Sequence, residues 1–388
     1  MADPEVMGDP IAVYGRAREQ SPVVRLVAPG FGAIWAVTRH QDAKALLNDS
    51  RLAMTADSWN QRVPEDIRPY MMTMSHMDGP EQARLRKLAL HSFTARRAAA
   101  RRPLVERVTD RLLDELPQHA ENGSVDLLKH FTQLLPAHVV GEVVGIPEPE
   151  RPLWRKHISE MGAGGRRYDE ALRAVIRNAK EVIALRREEP GDDLVSDLLR
   201  AQAEDKDRIT DTEMVTMVWH TVLAGQDNLA NFIANSVVSL LSHPDQLAAV
   251  REDYGLMPRA LEELMRWRPP LLLTAIRYVR EDFELCGVPV KKGDSAVAVI
   301  ASANRDPRAF PDPDRLDIRR PAGTSVQFGF GHGPHYCIGA SLAFAESEVA
   351  LTALLRRFPD LALAVPPEEV PRLPNPGSWH LTALPVTF

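Results

Sequence analysis

The stretch FGFGHGPHYCIGASLAFAESEVALTALLRRF, which begins at Phe328, constrains this chain more than any other. Gly329, Gly331 and Gly333 crowd in ahead of Cys337, and an amphipathic helix pattern follows it. Glycine lets a backbone fold tightly and approach a flat partner closely. Cys337 then falls where loop becomes helix, and the unpaired N–H groups and dipole of a helix start favour a thiolate there. A thiolate in such a place can serve as a nucleophile, a metal ligand or a redox thiol, and residue types alone leave all three open.

A second constraint is the apolar run HTVLAGQDNLANFIANSVVSLL, from His220 to Leu241. Apolar spacings of three and four continue back to Met214, which predicts one long helix. Thr210 and Glu213 form a capping-box pattern at its start, and His243-Pro244 closes it. About 30 residues at ~1.5 Å each give roughly 45 Å, enough to cross the molecule. Inside it stands Ala224-Gly225-Gln226-Asp227-Asn228. Polar side chains in an apolar helix are unfavourable unless something satisfies them, so this patch must face a partner.

Residues 78–268 and 338–357 read as helical, whereas Pro22–Arg39 reads as a hairpin turning at Pro-Gly-Phe-Gly. Residues 283–300 carry short β runs split by glycine. The expected class is mainly α with small β-sheets, organised as one domain over residues 1–388. The net charge of −6 gives no reason to expect a nucleic-acid surface. No window reaches the ~20 apolar residues of a membrane span, and the N-terminal MADPEVMGDP does not resemble a signal peptide, so a cytoplasmic protein is expected. Two cysteines are too few for a disulfide framework, and Cys286 is expected to be a small buried strand residue.

A family resemblance bears on the role of Cys337. Residues Phe330 to Gly339 fit F-G-x-G-x-H/R-x-C-x-G, the haem-ligand signature of the cytochrome P450 family, at every fixed position. The resemblance runs nearly the length of the chain. It implies the P450 fold, a triangular prism with a long central helix over the haem, and Cys337 as axial thiolate of a b-type haem iron. A thiolate ligand donates electron density to the iron and favours O–O cleavage. Phe330 would pack on the sulfur side, Gly331 and Gly339 would shape the loop, and His335 would reach a haem propionate.

Other stretches fit the same family. Glu263-Leu264-Met265-Arg266 is its E-x-x-R, and Pro313-Asp314-Arg315-Leu316 resembles its P-E-R-F, with Arg315 as the expected third member of a structural cluster. DGPEQARLRKL resembles D-P-P-E-H-T-R-L-R, which puts Arg86 at a propionate and Gln82 where His is usual. Arg277 in LLLTAIRYVRED matches the second propionate arginine, and Ala303 to Pro307 (ANRDP) resembles the soluble bacterial branch. Guanidinium groups suit such carboxylates because they pair with them bidentately.

The central helix departs from the family. Its A/G-G-x-D/E-T signature becomes Ala224-Gly225-Gln226-Asp227-Asn228, with Asn replacing the threonine. The small residues would make room for dioxygen and substrate, and the acid and hydroxyl normally organise proton-delivering water. An amide donates and accepts hydrogen bonds but does not pass on a proton as a hydroxyl does. Three readings follow: Asn228 holds a water for ordinary hydroxylation; a substrate group completes the relay, or the reaction needs less delivery; or Asn228 caps a distortion by bonding the carbonyl near Ala224.

The resemblance puts substrate against Trp59 and its methionine-rich neighbours, Leu223, Leu273, Thr274, Ala275, Ser378 and Trp379. The expected activity is dioxygen-dependent oxidation of a natural-product-like small molecule. Its alternative is oxidative C–C or C–N coupling of aromatic substrates, such as tryptophan- or cyclodipeptide-derived ones, without oxygen insertion. A haem gas sensor is the remoter alternative. Electrons from NAD(P)H would come through ferredoxin reductase and ferredoxin, with basic Arg84, Lys87 and Arg96 to Arg102 suiting an acidic partner of a monomeric enzyme.

Overall fold

The structure, a computed structural model, describes residues 3–28, 32–55, 63–163, 167–321 and 325–388. The N-terminal hairpin forms from Val23–Ala28 and Gly32–Val37, with Val23 opposite Val37 and Leu26 opposite Ile34. Its turn at 29–31 lies outside the described residues. Ser295–Ala298 joins parallel to Gly32–Val37, and Arg277–Val279 and Leu52–Ala53 complete a five-stranded sheet. A three-stranded sheet of Val125–Asp126, Pro385–Thr387 and Ala362–Leu363 stands apart from it. Helices dominate from Gly79–Leu90 to Met257–Trp267, and Ala340–Arg357 follows the cysteine loop.

The apolar faces of these helices form one large core that includes Leu112, Phe131, Trp154, Val218, Phe232 and Leu351. A second core under the sheet gathers Val37, Leu46, Val279 and Phe328. Phe328 immediately precedes the glycines of the cysteine loop, so burying its ring fastens that loop to the sheet.

The expected single central helix is two helices, Asp211–Ala224 and Asp227–Leu241. The capping box at Thr210 and Glu213 forms as the spacing indicates. Gly225 still donates to Thr221 O at 3.0 Å, and Ala230 donates to Gln226 O at 3.0 Å, so the ladder stops and restarts around Gly225-Gln226. A β-carbon on Gly225 would lie 2.8 Å from Val140 Cγ2 and 3.1 Å from Thr221 O. The glycine thus admits the neighbouring helix Leu134–Val144. Gly225→Ala is expected to destabilise the chain by about 1–3 kcal/mol in urea unfolding, through overpacking. Its coupling with Val140→Ala should relieve part of that loss; no coupling would mean the crowding is absorbed elsewhere.

Glu263 and Arg266 are almost fully buried and paired bidentately, at 2.7 and 2.8 Å. Arg266 also donates to the carbonyls of Asn304 (2.9 Å) and Pro313 (2.8 Å). The expected third side chain, Arg315, is exposed and offers only its carbonyl, at 3.2 Å from Arg266. Arg320 takes that place, its Nε lying 3.2 and 3.1 Å from the two Glu263 oxygens. Leu316 and Ile318 point into the core and set the segment's facing, which brings Arg320 back to the pair. ANRDP braces the same region: Asn304 accepts from Phe328 N at 2.7 Å, and the Arg305 guanidinium lies 3.7 Å from the Trp267 ring centre.

Cys286 is another correction. It lies in the turn between Phe283–Leu285 and Val288–Val290 with a φ of +51°, and it is partly exposed. Burial, with Asp42 nearby, pushes its thiol up to about 11, so it stays protonated.

Candidate active site

An internal cavity of about 370 Å³ lies between the cysteine loop and the break in the central helices. On the loop side, Gly331 and Gly333 adopt φ of +73° and +71°, a region that side chains other than glycine's enter with strain. The resulting turn closes by Gly331 N to Phe328 O and Cys337 N to Phe330 O, both 2.9 Å. Gly329 has another reason to be glycine, since Met265 fills the place of its β-carbon. Phe330 stands edge-on to Phe344 of Ala340–Arg357, with ring centres 4.9 Å apart, and lines the cavity.

The sulfur of Cys337 opens onto the cavity, while protein surrounds it on its other sides. Burial raises its thiol pKa, and the N–H groups of Gly339 and Ala340 together with Arg86 pull it the other way. Burial wins, so the helix start alone does not hold a free thiolate here. A coordinated metal would deprotonate the thiol outright.

The side chains around Cys337 form a cationic rim. Arg277 is buried, lines the cavity, and leaves its Nε without a hydrogen-bond partner among the described residues. Burial lowers its pKa, and Asp78 only partly opposes that. A buried guanidinium in this state requires an anion. Arg86 donates to Tyr336 O at 2.6 Å, His335 Nε2 lies 3.1 Å from Asp78 Oδ1, and Gln82 donates to Pro334 O at 3.0 Å. All four border the cavity. A flat ligand bearing carboxylates fits this wall: it would complete the Arg277 hydrogen bonds and present a metal to the sulfur.

The opposite wall is a helical stripe at spacings of four: His220, Ala224, Asn228 and Phe232. The Asn228 side chain makes no hydrogen bond among the described residues, so it does not cap the break. The amide that bonds back into the helix is Asn231, which donates to Asp227 O at 2.9 Å. Asp227 is accessible but crowded by protein, which raises its carboxyl pKa; His380 acts against that rise.

The other pocket expectations divide. Leu273, Thr274 and Ala275 line the cavity, with Met54 and Met74 opposite, while Trp59 lies outside the described residues. Thr274 also accepts from Ala298 N at 3.0 Å. Leu223, Ser378 and Trp379 are not among the lining residues. Leu223 packs on the helical core, and Ser378 is buried. The Trp379 ring is held by the guanidiniums of Arg268 and Arg372, at 5.1 and 4.5 Å. Sequence reasoning missed His220, which its spacing to Ala224 and Asn228 could have disclosed. Burial pushes its imidazole down to about 4, so it faces the cavity uncharged. It also missed Glu346, a buried acid on the cavity whose pKa burial raises.

The basic surface is weaker than its composition suggests. Arg84 pairs with Glu81 and Glu213, Arg97 with Asp192 and Asp197, and Arg102 with Glu106 and Glu348. Arg96 and Lys87 remain exposed. No described helix is long and apolar enough to cross a membrane.

Comparison with known proteins agrees with this arrangement. Residues 141–385 match the family described as Cytochrome P450. Cytochrome P450 monooxygenase PikC of Streptomyces venezuelae is 37% identical over 382 residues, covering 98% of this chain and 91% of that protein. The bacillaene polyketide synthase cytochrome P450 PksS of Bacillus subtilis superposes with a TM-score of 0.91 at 32% identity, over 99% of this chain and 98% of the other. The cytochrome P450 enzyme CxnD for C–S bond formation in chuangxinmycin biosynthesis gives a TM-score of 0.87 at 32% identity, over 99% and 96%. The chain belongs to the cytochrome P450 family, has its fold, and is an enzyme of the monooxygenase class. The family implies a haem iron with a cysteine thiolate ligand.

Proposed function

We propose that this chain activates dioxygen at a haem b ligated by Cys337 and oxidises a natural-product-like small molecule. The observation that carries the reading is the buried Arg277 guanidinium, short of a partner, on the same cavity as the Cys337 sulfur. Bound haem would supply the iron that activates dioxygen, made more reactive by electron donation from the thiolate.

The chain's own residues do the rest. Arg277, Arg86 and His335 would hold the haem carboxylates, with Gln82 keeping the Pro334 carbonyl in place. Gly331 and Gly339 would keep the loop close, and the N–H groups near the sulfur moderate its charge. Ala224 leaves room on the other side, while Leu273, Thr274 and Ala275 would bound the substrate. Asp227, its pKa raised by crowding, can exchange protons nearer neutrality than an exposed carboxylate. Asn228 would hold a water or a substrate group by hydrogen bonds without itself passing on the proton. Electrons from NAD(P)H would arrive through ferredoxin reductase and ferredoxin, the usual supply for bacterial members of the family.

A second reading is oxidative coupling, in which no oxygen enters the product. The uncommitted Asn228 amide favours it, and one structural relative is described as forming a C–S bond. Labelled dioxygen with mass analysis of the product separates the two. Asn228→Thr and Asn228→Ala test the residue itself, through product formed and peroxide released per NAD(P)H. Asn228→Thr should lower peroxide release if the enzyme hydroxylates and leave it unchanged if it couples, whereas Asn228→Ala should raise it in either case. Unchanged coupling in both variants would remove Asn228 from the chemistry.

A further inference from the structure

We propose that His220 selects the substrate by accepting a hydrogen bond from an uncharged O–H or N–H group, such as that of a phenol or an indole, about one helical turn away from the atom oxidised. The inference names a substrate class for the cavity and rests on the function proposed above.

The placement of His220 follows from the helix that carries it. Asp211–Ala224 is anchored by one backbone carbonyl: Tyr70 O accepts from Trp219 Nε1 at 3.1 Å and from Thr216 Oγ1 at 3.3 Å. Those bonds come from the residue just before His220 and from the residue one turn back, so they fix the rotation of the helix. The Trp219 ring stands perpendicular to the imidazole, with centres 5.8 Å apart. His220 is thereby turned into the cavity, on the stripe it shares with Ala224. Four residues of helix rise separate the two by roughly 6 Å. Ala224 leaves room for the reacting end of a guest, and His220 meets whatever group the guest carries that far away.

The imidazole is free for such a group, since no hydrogen bond ties its ring to another described residue. Uncharged at neutral pH, the ring keeps one bare nitrogen, an acceptor, beside its N–H. His76, the titratable group that acts on it, follows the lining residues Met74 and Ser75 and has its Nδ1 2.8 Å from Thr73 Oγ1. The arginines of the cavity, Arg86 and Arg277, offer the reverse, because guanidinium groups only donate. A carboxylate guest would be drawn to them, on the wall opposite His220. An ammonium guest would need a counter-charge, and the acid on the lining, Glu346, keeps its proton through burial. The guest suited to His220 is therefore neutral and brings its own donor. Met54, Met74, Phe93 and Phe232 give its remainder an apolar surface suited to flat rings.

The test compares probes of one shape, para-phenylphenol, its methyl ether and para-phenylbenzoate, on the haem-loaded full chain. Binding is read by isothermal calorimetry. The phenol should bind about tenfold more tightly than the ether, which lacks the donor. His220→Leu should erase that difference by weakening the phenol alone, and His220→Gln, which keeps an acceptor, should restore most of it. A phenol preference that survives His220→Leu, a phenol bound no better than the ether, or a benzoate bound more tightly than either would overturn the proposal. In turnover supplied by ferredoxin and its reductase, the parent should oxidise para-phenylphenol on the unsubstituted ring, and His220→Leu should oxidise both rings. Attack on the phenol ring by the parent would overturn the placement. A chain lacking the spectral mark of thiolate ligation would defeat the proposed function while the calorimetric contrast persisted, so the two failures are distinguishable.

Discussion

Cys337→Ala is expected to abolish turnover and erase the thiolate signature from the reduced carbon monoxide spectrum, with the fold intact. The side chain opens onto the cavity, and the loop is closed by backbone groups: the Cys337 N–H to Phe330 O and the Gly331 N–H to Phe328 O. Neither bond needs the sulfur. The other cysteine of the chain, Cys286, is separated from this site by its place in the sheet-side hairpin turn and holds its proton firmly. Cys286→Ser should therefore leave spectrum and turnover unchanged. A variant at Cys337 that kept the signature would require a different ligand and would overturn the assignment.

The second large effect concerns the buried ion cluster. Arg266→Ala would strand the Glu263 carboxylate in the core with only Arg320 and the Asp317 N–H beside it, and removing one partner of such a pair is worth about 3–5 kcal/mol. Arg320→Ala should cost less, about 1.5–3 kcal/mol for lost charge-assisted hydrogen bonds, since Arg266 still pairs with the acid. Arg315→Ala should fall within ~0.5 kcal/mol of the parent, because its exposed side chain makes no contact with the pair and its carbonyl survives. Urea unfolding of the three variants would show that order. Equal losses at 315 and 320 would contradict the geometry.

Those two arginines also mark where sequence reading stops. The pairing of Glu263 with Arg266 is written into a spacing of three on one helix face. Which later arginine joins them depends on how an irregular segment turns, and both candidates sit in one short basic stretch. The cysteine loop was legible because its glycines are tied to backbone angles and close contacts that few residues satisfy. The break at Gly225 was not, since the pattern on both sides is helical, and the contact that requires glycine there, Val140, lies on another helix. Trp379 looked like a pocket aromatic, yet two guanidiniums claim its ring. Chemistry at a position can be read locally; which neighbour consumes it is decided by the fold.

The divided central helix separates two mechanical duties. Asp211–Ala224 packs on Tyr168–Glu188 and Leu194–Glu204, whereas Asp227–Leu241 packs on Ala340–Arg357 and is tied to the C-terminal loop by Asn231 and Asn235. His220 and Ala224 ride on the first piece, Asp227 and Asn228 on the second. The wall facing the cavity is therefore divided between two pieces braced by largely different neighbours, with Leu134–Val144 packed on both.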